Sequence, residues 1–302
     1  MEHLRVSERP ELRKPVMVAA FAGWNDAAGC ATAAVKTLVD QWHARKFGDV
    51  DPEEFYTFQR FRPQIRLDAD HNRHIEWSNT ANDFYFYRTP ELEHDIILFI
   101  GVEPSLKWRT FSNIFTQFTR EFDVSYIVMM GALITDTVHT VPVPVSGSSN
   151  DADLRQRISN LFVRSGTSSY EGNTGILSVI MDACQTAGVK TMSMWGAVPH
   201  YISQTPNPKV VASLLRHLRD FARFELDLDQ LDAAARRFEE QVNEAVAGND
   251  QLKQYIREKE QHERPTRVED APHAEDFPTS ETVIESLEEF LRQNRLRPPS
   301  SD

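Results

Sequence analysis

Four short apolar segments that end in glycine constrain the fold of this 302-residue chain more than any other feature. A continuous apolar run of this length is typical of a strand buried on both faces, as in a sheet covered by helices on two sides. The glycine at the end of each run predicts a tight turn there. The segments are residues 16–23, 96–101, 126–131 and 191–196.

Amphipathic helical segments lie between these runs. Residues 26–42, 106–122 and 207–224 each place apolar side chains on one face at helical spacing. Buried strands alternating with such helices predict an α/β fold of three layers, with a mostly parallel sheet between two layers of helices. The aromatic-rich residues 55–68 and 75–88 do not fit this alternation. We expect them to add strands beside the parallel core, for which a hairpin is one arrangement.

The sequence changes character after residue 224. Apolar residues there recur at intervals of three and four, which indicates a heptad-like seam on a long helix. Gly248 ends this helix and Asp250 can cap another, so residues 225–262 are predicted to form a helical hairpin. The seam consists of Leu228, Leu231, Ala235, Phe238, Val242 and Ala245.

Two further segments complete the predicted organisation. Residues 263–278 contain three prolines among charged residues, which is typical of a linker. Residues 279–297 predict a final amphipathic helix, whose apolar face must dock on this chain or on another copy. The expected domains are therefore an α/β domain over residues 1–224, the helical hairpin, the linker and the final helix.

Charge and cysteine content exclude several classes of function. The chain carries 45 acidic and 33 basic residues, and its formal net charge of −12 argues against nucleic acid or an anionic membrane as a partner. Residues 225–302 hold 20 acidic and 10 basic residues and so account for −10 of this charge. Cys30 and Cys184 suggest neither a disulfide nor a thiolate metal site. Without an apolar leader or a run long enough to span a membrane, the chain is predicted to be cytoplasmic.

Polar and aromatic residues gather after the ends of the predicted strands. In an open parallel α/β sheet, ligands bind beyond the carboxyl ends of the strands. We therefore predict a candidate ligand pocket at this edge, without a metal or a cofactor. Its residues are Gly23, Trp24, Asn25, Asp26, Glu103, His139, His200 and Tyr201.

Each of these residues also has a purely structural interpretation. Asn25 and Asp26 stand where a helix needs an N-cap, so capping is the favoured role for both. A histidine in a turn more often bonds the backbone than takes part in catalysis, which applies to His139 and His200. The sequence contains no complete dinucleotide, Walker, zinc-protease or nucleophile-elbow motif, so it specifies no catalytic residue.

Six segments together carry a family resemblance: residues 23–29, 101–104 with Trp108, 138–145, 170–176, 195–201 and 206–209. In this order they resemble the PAC2 family, which includes proteasome assembly chaperone 2, and in particular its actinobacterial branch with a helical C-terminal extension. The resemblance implies a three-layer α/β/α fold similar to nucleoside phosphorylases and related hydrolases, usually in homo-oligomers. It implies no reaction for the bacterial branch.

The sequence departs from the family pattern at several positions. Val138, Val141 and Asn173 stand where the pattern has proline, arginine and proline, and the loss of that arginine removes the best anion-binding side chain from its loop. Residues 298–302 differ from the hydrophobic-Tyr-X end of members that dock on the proteasome, which argues against a direct proteasome role.

Two hypotheses for function follow. The leading one is a non-catalytic assembly, scaffold or chaperone-like protein with a protein partner and a homo-oligomeric state, of which a trimer is one form. The alternative is a phosphorylase- or hydrolase-like enzyme, or a small-ligand binder, that uses the candidate pocket at the carboxyl ends of the strands.

Overall fold

The structure, a computed structural model, describes residues 3–77, 80–162, 164–165, 170–204 and 206–261, together with Leu287, Glu289 and Leu291. The predicted linker, residues 263–278, lies outside the described residues. Of the predicted final helix, Leu287, Glu289 and Leu291 are described, and all three are helical.

A mixed sheet of nine strands forms the centre of the described chain. Its order is β1-β3-β6-β7-β2-β8-β11-β9-β10, and a separate two-stranded sheet pairs β4 with β5. The strands are β1 (Leu4–Val6), β2 (Val16–Ala22), β3 (Arg45–Val50), β4 (Gln64–Leu67), β5 (Arg73–Glu76), β6 (Asp83–Tyr87), β7 (Ile96–Val102), β8 (Tyr126–Thr135), β9 (Val145–Ser149), β10 (Arg164–Ser165) and β11 (Thr191–Pro199).

The four predicted apolar runs form the parallel centre of the sheet. β7, β2, β8 and β11 are neighbours and run parallel to one another. Antiparallel pairing begins outside them, where β6 pairs with β7 and β9 pairs with β11. Residues 55–68 and 75–88 contribute strands, as predicted: β6 lies beside the parallel core and pairs with β7, whereas β4 and β5 pair as a hairpin in the separate sheet.

Helices cover both faces of this sheet. Alternate residues of the central strands point to opposite sides, so that Val18 packs into one apolar cluster and Met17 into another. α1, α3 and α5 supply the first cluster, and α2 and α4 supply the second. The predicted three-layer α/β fold is therefore confirmed. The helices are α1 (Cys30–Gln41), α2 (Trp108–Glu121), α3 (Ala152–Leu161), α4 (Ile176–Thr186), α5 (Pro208–Ala222), α6 (Asp229–Val246) and α7 (Asp250–Gln261).

The glycines that end the apolar runs differ from the prediction in all but one case. Gly23 lies in a turn, with a φ of 127° that favours glycine. Gly101, Gly131 and Gly196 instead lie inside β7, β8 and β11, which continue past them. A Cβ on Gly131 would come within 2.2 Å of the Trp195 ring, so this glycine makes room for a neighbouring side chain.

The C-terminal helices α6 and α7 pack against the carboxyl edge of the sheet. Phe238 and Val242 of α6 join Leu252 and Ile256 of α7 in a third apolar cluster, which also buries Leu287 and Leu291. Asn249, rather than the predicted Asp250, caps α7, because its side chain accepts the Leu252 amide at 3.0 Å. The helical hairpin is thus observed, and the division of the chain into domains stays a prediction.

Candidate functional site

The candidate residues divide into two groups along the carboxyl edge of the parallel strands. Gly23, Trp24, Asn25, Asp26 and Glu103 follow β2 and β7. We call this part of the edge the open half, because the Trp24 side chain is 66% exposed there. His139, His200 and Tyr201 follow β8 and β11. We call that part the closed half, because α6 and α7 cover it.

In the open half, Glu103 holds the turn that ends β2. Its Oε2 accepts the backbone N–H of Trp24 at 3.3 Å. The backbone of Gly23 approaches so closely that a Cβ there would lie 3.0 Å from the Glu103 Cβ. The absence of a side chain at Gly23 therefore lets the carboxylate reach the turn.

Glu103 and Asn25 also bind the first turn of α4. Glu103 Oε1 accepts the Ile176 amide at 2.8 Å, and Asn25 Oδ1 accepts the Leu177 amide at 3.4 Å. These are N–H groups that the helix itself leaves without a partner, and a carboxylate is favoured at this end of the helix dipole. Asn25 was predicted to cap the helix that follows it. Instead it caps a helix about 150 residues later in the chain.

Asp26 caps α1, the helix that follows it. Its carboxylate accepts the amides of Ala31 at 2.6 Å and Thr32 at 3.2 Å, as well as the Thr32 hydroxyl. Burial raises the pKa of Asp26, while these hydrogen bonds oppose the rise. The capping role predicted for Asp26 is thus observed.

In the closed half, both ring nitrogens of His139 have partners. Nδ1 lies 2.7 Å from the Tyr201 hydroxyl oxygen, and Nε2 lies 3.0 Å from Oδ1 of Asn243 in α6. The same hydroxyl oxygen accepts the His139 backbone N–H at 2.9 Å, so its own proton is directed to Nδ1 and the Nε2–H donates to Asn243. Burial lowers the pKa of His139, which favours this neutral form.

His200 is also buried, and its surroundings are supplied by α7. Its ring centroid lies 5.4 Å from that of Tyr255, and the backbone of Thr135 bonds the imidazole. Burial lowers the pKa of His200 from 6.5 to about 4. Beside it, the Asp136 carboxylate is paired with Lys259, and the Tyr255 hydroxyl donates to the Asp136 carbonyl at 3.0 Å.

The sequence profile of the PAC2 family matches residues 20–246, which is most of the chain. The chain belongs to the PAC2 family. The matched range passes residue 224 and includes α6, so the helix that contacts His139 is part of the family match.

Solved structures agree with this assignment. A PAC2 family protein from Streptomyces avermitilis is 39% identical and superposes with a TM-score of 0.73, covering 80% of this chain and 99% of its own. A proteasome-assembly chaperone homologue from Mycobacterium tuberculosis is also 39% identical, with a TM-score of 0.71 and the same coverage. An archaeal proteasome activator from Pyrococcus furiosus, 19% identical with a TM-score of 0.64 over 80% of this chain and 97% of its own, shares the fold. A comparison with curated proteins gave no match.

The structure places further residues at the carboxyl edge of this PAC2 sheet, and the sequence did not single them out. Asn243, Tyr255 and Lys259 come from the C-terminal helices, and only the fold brings them to the histidines. Gly175 is another, because a Cβ there would lie 2.0 Å from the Asn25 Oδ1. Asn243 directly follows Val242 of the heptad seam. This position next to an apolar stripe was the one feature of the sequence that could have pointed to Asn243 as a contact residue.

A cavity of about 280 Å³ lies between α5 and α6 of this PAC2 chain. Its lining carries both charges, and an ion pair joins Arg216 to Asp232 at 2.7 Å. Within the described residues, no group of three or more His, Cys, Asp or Glu side chains could hold a metal ion. None of the described helices is long and apolar enough to cross a membrane. The candidate ligand pocket stays a prediction.

Proposed function

We propose that this PAC2 protein is a non-catalytic, chaperone-like assembly protein of the cytoplasm, which acts by binding other proteins and copies of itself. The observation that carries the proposal is the closed half of the carboxyl edge. An α/β enzyme binds its ligand beyond the carboxyl ends of its strands. Here α6 and α7 occupy that position on β8 and β11.

The chemistry of the closed half supports this proposal. A general base needs a ring nitrogen that can reach a substrate, whereas both nitrogens of His139 are occupied by Tyr201 and Asn243. The lowered pKa of His200 keeps its imidazole neutral at physiological pH, and Asp136 is neutralised by Lys259. These groups hold the helices on the body of the protein.

The open half supports a binding role rather than a reaction. Both of its carboxylates, Glu103 and Asp26, are engaged by backbone amides, while Trp24 presents a large exposed ring. Exposed aromatic side chains are enriched at protein interfaces. One relative is named a proteasome-assembly chaperone homologue, which makes proteasome subunits the first partner to look for, although residues 298–302 argue against docking through a hydrophobic-Tyr-X end.

Crosslinking in native extract, followed by affinity capture of the tagged chain, tests the proposal. We expect the same protein to be captured in near-stoichiometric amounts in every replicate. Recovery of the tagged chain alone, at several crosslinker concentrations, would count against an assembly role.

A thermal-shift screen tests the alternative of an enzyme or a small-ligand binder. A ligand at 100 times its dissociation constant adds roughly 2.7 kcal/mol to the stability of the protein that binds it. We expect no shift with nucleosides, phosphorylated sugars, amino acids or divalent metals. A reproducible shift that Glu103→Gln or Trp24→Ala removes would overturn the non-catalytic proposal in favour of a ligand site in the open half.

A further inference from the structure

α7 lies in an apolar groove of the closed half. Leu252 and Ile256 are buried in the third apolar cluster and Tyr255 packs against it, so one face of α7 fills the groove at the i, i+3 and i+4 spacing. An amphipathic helix binds in the groove of another protein in the same way. The walls of the groove are Val138, Val141, Tyr201 and Ile202 of the body and Phe238 and Val242 of α6.

Polar contacts continue this face towards the end of α7. Lys259, one turn after Tyr255, is paired with the Asp136 carboxylate. The Tyr255 hydroxyl donates to the Asp136 carbonyl at 3.0 Å, and the Thr140 hydroxyl donates to the Glu260 carboxylate at 2.5 Å. The groove thus has an apolar part and an acidic end, and the acidic end selects a basic residue at position i+7 of the helix that fills it.

α7 contains the interactions that stabilise it as a helix. The Asn249 side chain caps it by accepting the Leu252 amide, and Lys253 pairs with Asp250 at 3.0 Å in the first turn. Gly248 joins it to α6, and a Cβ there would meet nothing within 4 Å. Because the cap and the ion pair lie beyond Gly248, they are kept when α7 moves away from the groove.

α6 is attached to the body more firmly than α7. Lys209 and Arg216 of α5 pair with Glu239 at 2.5 Å and Asp232 at 2.7 Å on α6. α6 buries four side chains, whereas α7 buries two, and local opening is easiest where few apolar side chains are buried. The PAC2 match also ends at residue 246, the last residue of α6, so α7 lies outside it. We therefore expect α7 to detach while α6 stays docked.

We propose that α7 is an intramolecular occupant of a helix-binding groove, and that an amphipathic helix of a partner protein replaces it. The proposal rests on the assembly role proposed above and specifies the chemistry of the partner. The partner helix has apolar or aromatic residues at positions i, i+3 and i+4 and a basic residue at i+7, where Lys259 pairs with Asp136. While α7 is docked, the partner competes with it, and its apparent affinity is reduced by the fraction of chains whose groove is open.

Hydrogen exchange of the full-length chain, followed by mass spectrometry, measures the opening of α7. We expect the amides of α7 to exchange at least about 100-fold faster than those of residues 238–242 in α6, because α7 opens locally. Equal exchange of the two helices would overturn the proposal, since α7 would then leave the groove only together with α6.

A fluorescent peptide of residues 249–261 is the probe for the groove. The full-length variant Leu252→Asp with Ile256→Asp leaves its own groove empty, because carboxylates lose their hydration in an apolar cluster. Fluorescence anisotropy should show that the peptide binds this variant at least about 10-fold more tightly than the wild type. Gln254→Asp with Arg257→Asp, at exposed positions of α7, is the matched control and should bind the peptide like the wild type. Circular dichroism melting curves verify that each variant is folded.

A cleavable crosslink tests the displacement of α7 with an intact groove. Thr140→Cys with Glu260→Cys places two thiols where the native side chains are in hydrogen-bond contact, and the native Cys30 and Cys184 are buried. A bismaleimide with a disulfide in its spacer locks α7 in place, and reduction of that disulfide releases it. We expect the released chain to bind the peptide and the locked chain not to bind it.

Equal binding of the peptide to the locked and released chains would overturn the proposal, because the peptide would then bind elsewhere. Failure of the peptide to bind the double aspartate variant would also overturn it. Either result leaves the capture of another protein from extract, and hence the assembly role, as a separate question.

Discussion

The open and closed halves share one edge of one sheet, and yet they use their polar residues differently. In the open half, Glu103 and Asn25 bind backbone amides of α4, and Trp24 is left in solvent. In the closed half, His139 and His200 are buried beneath helices that come from the end of the chain. Polar residues at strand ends can therefore stabilise a protein in two ways. In the open half they bind the first turn of α4, which is part of the three-layer fold, and in the closed half they bind the additional helices α6 and α7.

The largest effect should come from removing an anchor of the closed half. Phe238→Ala deletes a buried ring from the cluster that joins α6 to α7, and a Phe→Ala change in a core costs about 3 to 5 kcal/mol of unfolding free energy. Leu106→Ala, at an exposed position in the open half, is the control and should cost less than about 0.5 kcal/mol. Urea denaturation measures both. Equal costs would mean that the helices contribute little to the stability of the body.

The closed half should also respond to acid. Because burial lowers the pKa of His200 from 6.5 to about 4, unfolding takes up a proton between these values. Stability is therefore complete above pH 6.5 and is lost as the pH falls towards 4. We expect a loss of about 2 kcal/mol between pH 7.5 and pH 5.

Other titratable groups lie close to His200 and contribute to this acid response. Asp136 and Lys259 form an ion pair beside the imidazole, Tyr255 lies against it, and the lowered pKa of His139 acts in the same direction. Denaturation across this pH range for His200→Gln should show a smaller loss than the wild type. An identical pH profile would show that the imidazole is not the group that titrates.

A smaller effect is expected from Glu103, one of the two carboxylates of the open half. Glu103→Ala removes the acceptor of the Trp24 and Ile176 amides, and the loss of a helix-capping group costs about 1 to 2 kcal/mol. Asp182→Ala, at an exposed position in α4, is the matched control and should change the thermal midpoint little. If Glu103→Ala were as stable as this control, the α4 amides would have other acceptors.

The smallest effect should come from the most exposed residue. Trp24→Ala should change the unfolding free energy by less than about 0.5 kcal/mol, because its ring is largely in solvent. We expect instead that it weakens the capture of a protein partner from extract. If Trp24→Ala lost much stability but captured the partner as well as the wild type, Trp24 would have a structural role rather than a binding role.

The parallel centre of the sheet could be predicted from the sequence because a strand buried on both faces has a continuous apolar pattern. β9 could not, since its sequence, Val145–Ser149, is mostly small and polar. The roles of Gly101, Gly131 and Gly196 could not be predicted from the sequence either. A glycine that ends a strand and one that makes room for a ring, as Gly131 does for Trp195, look the same until the neighbouring strand is placed.

At the candidate site, the sequence predicted that these residues gather at the carboxyl edge of the sheet. It did not predict which residues they contact there. The capping role of Asp26 could be predicted because its helix follows within a few residues. The bond from the Leu177 amide to Asn25 and the contact of His139 with Asn243 join residues more than 100 positions apart. Such pairs depend on how the layers pack, which no local pattern encodes.

The attachment of the Trp24 turn to α4 has a consequence for the entropy of binding. Its backbone is fixed by Glu103, and Gly23 holds a conformation that few other residues adopt. A partner that meets Trp24 therefore finds the backbone of this turn already ordered. Beyond the translational and rotational entropy that every association loses, the turn itself loses the freedom of one side chain, about 0.5 to 1.5 kcal/mol. The turn presents its aromatic ring in advance of contact, much as a matured antibody loop does.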